Sequence, residues 1–217
     1  VTPQIVAAMF RNVAAAIDAR KDWLSELDGV IGDGDHGITM ALGWTAIGRA
    51  LDQVNSDDDI EAICKRMAKA FLDSVGASSG PLYATALLRA GESARGRAGL
   101  DAAALVAFIE AAAAGIRERG KAEPGGKTMV DAWVPAAEAA ARALREGGSV
   151  VACLKAAARG AEEGMNGTAK IAARKGRSSK LGERSLGHMD PGAASTFVML
   201  SAMAKALERE LSETADG

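Results

Sequence analysis

A chain of 217 residues with 48% hydrophobic and 25% charged side chains is large enough for one domain with its own core. Its 26 basic and 28 acidic residues leave a formal net charge of −2, which gives no bulk attraction to nucleic acid or to an anionic membrane. No apolar run approaches the roughly 20 residues of a membrane span, and the opening VTPQIVAAMFRN lacks the basic-then-apolar order of a secretory leader.

In chain order, Ile5, Met9, Val13, Ile17 and Leu24 mark a first amphipathic helix, with Asp28 at its end. The next segment, IGDGDHG at 31–37, fits G-x-G-x-x-G through Gly32, Gly34 and Gly37. A dinucleotide fingerprint needs a preceding strand and a βαβ unit, whereas helical periodicity flanks this one on both sides. Asp33 and Asp35 would also repel a pyrophosphate with no cation between them. An EF-hand loop fails as well, because its twelfth position, counted from Asp28 or Asp33, falls on Thr39 or Trp44 instead of a Glu. What remains is D-x4-D-x-D: three carboxylates able to converge on Mg²⁺, which takes oxygen ligands and shares its shell with substrate phosphates. The helix opening at residues 36–40 offers free N–H groups and a positive dipole end to such a phosphate. The plainer alternative is a helix linker with Asp35 as an N-cap.

The break NSDDD at 55–59 precedes a helix carrying Ile60, Ile63, Cys64, Met67 and Phe71. GASSGP at 76–81 places small residues before Pro81, a favourable first helical residue, so its backbone can approach a ligand closely. After GRAGLD at 96–101, Leu105, Phe108, Ile109, Ala112 and Ile116 repeat the helical spacing. GKAEPGGKT at 120–128 is near a P-loop, but the first glycine that motif requires falls on Lys121 and no strand precedes it. Lys127 is therefore expected at the solvated surface and Thr128 as a helix cap. The Ala-rich run AAEAAARALR favours close helix packing and ends at EGGS, residues 146–149.

Residues 173–195 gather Arg174, Lys175, Arg177, Lys180 and Arg184 among glycines at 176, 182, 187 and 192. A long ordered irregular segment of this kind tends to be functional. It closes on Asp190 as N-cap and Pro191 at the first helical position, with His188 read as a hydrogen-bonded structural residue. Cys64 and Cys153 lie in helical apolar patterns and are expected as reduced core residues of a cytoplasmic protein. The whole reads as all-α, roughly eight helices in a single domain over 1–217.

Four segments, LDGVIGDGDHG, GASSGPLYAT, RGKAEPGGKTMVDAWVPA and GRSSKLGERSLGHMDPGA, resemble in this order the motifs of the ADP-binding L subunit or L domain of dihydroxyacetone kinases. The likeness covers nearly the whole chain. It implies an antiparallel eight-helix barrel with the nucleotide held across the loops at one end. It further implies that Asp28, Asp33 and Asp35 hold two Mg²⁺ ions bridging the phosphates of ADP or ATP, with His36, Gly37, Ile38 and Thr39 as the phosphate-contacting turn. By the same resemblance Ala77 and Ser78 contact the nucleotide, Gly120 and Met129 line the adenine side, Arg177 is the catalytic basic residue reaching the phosphates, and Asp190 is an acid near the nucleotide. The chain departs from the pattern at Ser79, where many relatives carry another arrangement of small residues, at Thr39, where Asn is common, and at Gly126, where some have Asp.

The implied activity is phosphoryl transfer to a small ketose such as dihydroxyacetone, held by a separate K-type subunit or domain. The phosphate would come from exchanging ATP, or from bound ADP rephosphorylated by a phosphotransferase-system M subunit. The resemblance leaves two alternatives: a non-catalytic nucleotide-binding regulatory module, and a kinase acting on another ketose or a fatty acid. Neither a nucleic acid nor a membrane is expected as partner.

Overall fold

The computed structural model describes residues 1–55 and 57–215; Ser56, within the break expected at 55–59, and residues 216–217 of the expected domain lie outside the described residues. The elements are α1 (Pro3–Asp18), α2 (Lys21–Ile31), α3 (His36–Leu51), α4 (Ile60–Ser74), α5 (Ser79–Ser93), α6 (Ala102–Gly120), α7 (Val130–Arg145), α8 (Val150–Thr168), a 3-10 segment (Arg177–Ser185) and α9 (Pro191–Ala215). No strand forms among the described residues. None of their helices is long and apolar enough to cross a membrane.

The neighbour relations close a ring: α1 packs on α3, then each helix packs on the next through α9, which returns to α1. Eight helices thus make the expected barrel, and α2 is an additional short helix lying against α3 and α9. The single first helix expected through Leu24 and Asp28 is in fact two, broken at Ala19 and Arg20. The apolar spacing could not reveal that break, because Ile17 and Leu24 are both fully buried on either side of it. No Gly or Pro marks the turn; a Lys21–Asp18 ion pair at 2.9 Å spans it.

Directions alternate around the ring. The Val1 ammonium donates to the Leu100 carbonyl (2.8 Å), which fixes the start of α1 at the end away from the loops at 31–36 and 75–79. At that far end the helix starts are capped by their own side chains: Thr2 accepts from Ile5 N–H (3.3 Å), Asp59 from Ala62 (2.7 Å), Asp101 from Ala104 (2.7 Å) and Ser149 from Ala152 (3.2 Å). Each of these satisfies one of the N–H groups a helix start leaves without an internal partner. At the other end the N-cap residues of α3, α5 and α7, namely Asp35, Ser78 and Met129, make no side-chain cap.

The interior explains why the ring holds its shape. Phe10, Trp44, Phe71, Tyr83 and Phe108, from five different helices, form a continuous aromatic chain with centroid separations of 5.3 to 6.5 Å, the tilted and stacked arrangements that aromatic quadrupoles favour. Ala132, Ala136 and Ala140 of α7 and Ala157 and Ala161 of α8 are fully buried, so the Ala-rich runs let these helices approach closely as expected. Cys64 and Cys153 are free and buried within the core.

Candidate functional site

The end of the barrel that carries the loops at 31–36 and 75–79 gathers the carboxyl ends of α2, α4, α6 and α8 and the amino ends of α3, α5, α7 and α9, and their loops surround a cavity of about 510 Å³. At one side of it the carboxylates of Asp28, Asp33 and Asp35 bring oxygen atoms within 4.8 Å of one another. Asp28 is buried and the other two are exposed. Asp28 reaches the cavity from the last turn of α2, and its Oδ2 accepts the His36 N–H (3.2 Å), so it, and not Asp35, caps the start of α3.

Two glycines make this geometry. A Cβ at Gly32 would lie 2.2 Å from Asp28 Oδ1, so only glycine leaves the carboxylate its place. A Cβ at Gly37 would lie 1.8 Å from the Lys21 carbonyl oxygen, so glycine lets α3 cross the start of α2 in contact with its backbone.

Beside these carboxylates, the Arg177 guanidinium pairs with Asp33 and stands 3.6 Å from Asp35. Arg177 opens the 3-10 segment, in the basic stretch singled out in the sequence. The His36 ring is half-buried, with Nε2 3.0 Å from Ser195 Oγ on α9, and Ser195 in turn lies 3.3 Å from the Tyr83 hydroxyl. Burial holds the His36 imidazole down to about 4, against the pull of the Asp28 charge. The ring is therefore neutral near pH 7 and acts as a hydrogen-bonding strut between α3 and α9.

Asp190 performs the expected N-cap role, its Oδ2 accepting the Ala193 N–H at 2.8 Å. Burial pushes its carboxyl up to about 7, the Asp131 and Asp28 charges add to this, and the Ala193 N–H and Lys127 oppose it. Lys127 was expected in solvent and is instead fully buried. Its Nζ donates to the carbonyls of Thr168 (2.7 Å), Ile171 (3.2 Å) and His188. Burial lowers the affinity of this amine for its proton, while Asp190 and Asp131 raise it. His188, read as a structural histidine, has an exposed side chain and contributes through its backbone carbonyl. Thr128 Oγ1 accepts the Val130 N–H (3.2 Å), as a cap should, and Asp131 Oδ2 accepts the Thr128 N–H (2.7 Å).

Of the residues picked out from sequence, Asp28, Asp33, Asp35, His36 and Thr39 line the cavity, as do Ala77 and Ser78, Gly120 and Met129, Arg177 and Asp190. Gly37 and Ile38 do not line it: Gly37 faces α2, and Ile38 is 58% exposed to solvent. Sequence reasoning missed Ser195, Asp131, Thr168 and the burial of Lys127. Ser195 and Lys127 fall within segments singled out in the sequence, but Ser195, Thr168 and Lys127 act through partners 22 to 159 residues away, and Asp131 acts locally on the Gly125 and Thr128 N–H groups just past the 120–128 segment.

Over residues 30–205 the chain matches the DAK2 domain. It belongs to that family. Asp28 stands just ahead of the matched span. This DAK2 domain is 42% identical over 185 residues to the PEP-dependent dihydroxyacetone kinase ADP-binding subunit DhaL of Escherichia coli, covering 85% of this chain and 88% of that one. It is 37% identical to the L-erythrulose 1-kinase of Mycolicibacterium smegmatis, with 94% of this chain aligned to 36% of that longer protein. The crystal structure of the dihydroxyacetone kinase from C. freundii in complex with AMP-PNP and Mg²⁺ superposes with a TM-score of 0.71 at 25% identity, covering 93% of this chain and 34% of that one. The DAK2 domain thus resembles a whole separate subunit in one relative and about a third of the chain in the others.

Proposed function

We propose that this DAK2 domain is the Mg²⁺-dependent ADP- or ATP-binding subunit of a cytoplasmic dihydroxyacetone kinase, acting as one domain and passing a phosphoryl group to a small ketose held by a K-type partner. The observation that carries the reading is the meeting of three carboxylates, within 4.8 Å of one another, at the side of a cavity lined also by Thr39, Ala77 and Ser78 near the starts of α3 and α5, where the N-cap residues Asp35 and Ser78 make no side-chain cap of their own. Carboxylates alone repel a phosphate; with cations between them they attract one, and free helix N–H groups complete the anion site.

The donor set fits Mg²⁺, since all three groups offer hard oxygen atoms on a turn held by Gly32 and by the Asp28–His36 bond. Mg²⁺, as two ions, would be held there by Asp28, Asp33 and Asp35 and would supply neutralisation of charge on the phosphate oxygens. Asp28, Asp33 and Asp35 hold and orient the metal–phosphate unit. Arg177, drawn from its aspartate partners, positions the moving group and stabilises its charge. The base of the nucleotide rests toward Gly120 and Met129, and Asp190 braces the floor. In the transfer the bond between the phosphorus and its leaving oxygen breaks, a bond to the acceptor hydroxyl oxygen forms, and the hydroxyl proton passes to a base on the partner.

The high identity to separate subunits named PEP- or PTS-dependent favours bound ADP recharged by a phosphotransferase-system M subunit over exchanging ATP. Erythrulose kinases among the relatives favour a second acceptor, a four-carbon ketose, with the chemistry unchanged.

The test compares the intact chain with Asp33→Ala. Calorimetric titration should show Mg·ADP binding by the chain alone, without phosphorylation of dihydroxyacetone until a K-type subunit is added, and Asp33→Ala should lose both. Turnover of ATP and dihydroxyacetone by the chain alone refutes the division of labour. Unimpaired partner binding with no kinase activity in either form identifies a regulatory module instead.

A further inference from the structure

Lys127 is a fully buried cation at the edge of the cavity. Its backbone is left-handed, with φ of 59°, a conformation seldom adopted by residues other than glycine and kept only where the surroundings dictate it. The three N–H bonds of the ammonium are matched by three carbonyl oxygens, those of Thr168, Ile171 and His188, which leaves none for a phosphate. Thr168 is the last residue of α8, where helical carbonyls lack internal partners and the dipole end is negative, so a buried cation is well placed there.

The other two acceptors show what the lysine does. Ile171 and His188 stand at the two ends of the segment that carries Arg177. Between them the Arg174 N–H donates to the Gly126 carbonyl at 3.1 Å, and the Gly187 N–H to the Ala169 carbonyl at 2.8 Å. Thr168 Oγ1 accepts the Asp190 N–H at 2.9 Å. On the other side of Lys127, Asp131 gathers the Gly125 and Thr128 N–H groups. Both ends of the Arg177 segment are therefore drawn together on one ammonium, which is itself anchored to the start of α7.

We propose that Lys127 is a positioning residue: its ammonium closes the base of the 171–188 segment and so sets where Arg177 stands relative to Asp33 and Asp35, without touching the nucleotide. This rests on the nucleotide-binding reading above. A displacement of about 1 Å in a positioned group can lower a rate on the order of 100-fold, and loss of residues that orient ligating groups commonly lowers affinity about 10- to 100-fold.

The test is a double-mutant cycle on the full chain with Lys127→Met and Arg177→Met, reading Mg·ADP affinity by calorimetry well below the melting midpoint. Lys127→Met should weaken binding by up to about 10-fold, no more than Arg177→Met itself, and the double variant should bind within about 2-fold of Arg177→Met alone, because a lysine that acts through Arg177 has nothing left to position once Arg177 is gone. Amide exchange over residues 172–187 should accelerate in Lys127→Met and stay unchanged in Arg177→Met. If Lys127→Met does not fold, Lys127→Gln, which keeps two N–H donors, carries the same cycle. A lower melting midpoint with affinity kept within about 2-fold, or losses that multiply in the double variant, overturns the proposal while leaving the nucleotide-binding reading intact. Failure of the unaltered chain to bind Mg·ADP overturns that reading and this inference with it.

Discussion

Arg177 is ion-paired to Asp33 and lies 3.6 Å from Asp35, so the guanidinium shares the carboxylates that are the candidate metal ligands. All three side chains are about half exposed, and an exposed pair of this kind contributes about 0–1 kcal/mol. It is cheap to exchange for a divalent ion and a phosphate. Arg177→Met should leave the melting midpoint unchanged, bind Mg²⁺ without nucleotide at least as well as the unaltered chain, and bind Mg·ADP about 10-fold more weakly, equivalent to about 1.4 kcal/mol. Titration calorimetry with Mg²⁺ alone and then with Mg·ADP checks both arms; weaker binding of Mg²⁺ alone contradicts the shared-site geometry.

Gly32 and Gly37 separate local placement of a ligand from integrity of the fold. At Gly37 a Cβ meets backbone, the Lys21 carbonyl oxygen, at 1.8 Å, and backbone cannot swing aside. Gly37→Ala should therefore destabilise the protein by about 1–3 kcal/mol, the usual range for overpacking. At Gly32 the collision is with the Asp28 carboxylate at 2.2 Å, a side chain that can rotate away. Gly32→Ala should lose metal affinity with a smaller loss of stability. Gly167→Ala, in α8 with nothing within 4 Å of the added Cβ, is the neutral control. Thermal melts paired with Mn²⁺ titration distinguish the three.

Away from the site, Glu61 accepts two bonds from Arg95, at 3.0 and 2.9 Å, and pairs with Lys65 at 2.8 Å. These partners, Arg95 first and Lys65 second, hold its carboxyl down to about 2 from an ordinary 4.5, against the opposing effect of burial. A carboxyl whose affinity for protons is reduced on folding stabilises the protein above its unfolded value, and the contribution disappears as the pH falls through the folded one. Glu61→Gln should thus melt lower than the unaltered chain at pH 7, with the two curves converging between about pH 4.5 and 2. Melting midpoints across that interval provide the check; a constant difference would show that the lost packing, and not the charge, is responsible.

Much of the architecture was legible because its causes are local. Thr2, Asp59, Asp101 and Ser149 cap helices within three residues of themselves, and Ile60, Ile63, Cys64, Met67 and Phe71 form a buried stripe at the spacing of a helix. Asp28, Asp33 and Asp35 could be grouped from sequence because one tight turn connects them. The helix break at Ala19 and Arg20 left no such mark, since the apolar stripe continues across it.

The sequence by itself determined the helices, their punctuation and the candidate acidic turn, because hydrophobic periodicity, capping and glycine turns act over a few residues. Only the tertiary structure decided that eight of those helices close into a ring with a ninth laid against it, that His36 turns inward to Ser195, and that Lys127 leaves solvent for three carbonyls. Those outcomes depend on partners 41 to 159 residues away. A buried charge is stable only when the fold delivers its acceptors, and no pattern around Lys127 in the sequence states that Thr168 and His188 will arrive there.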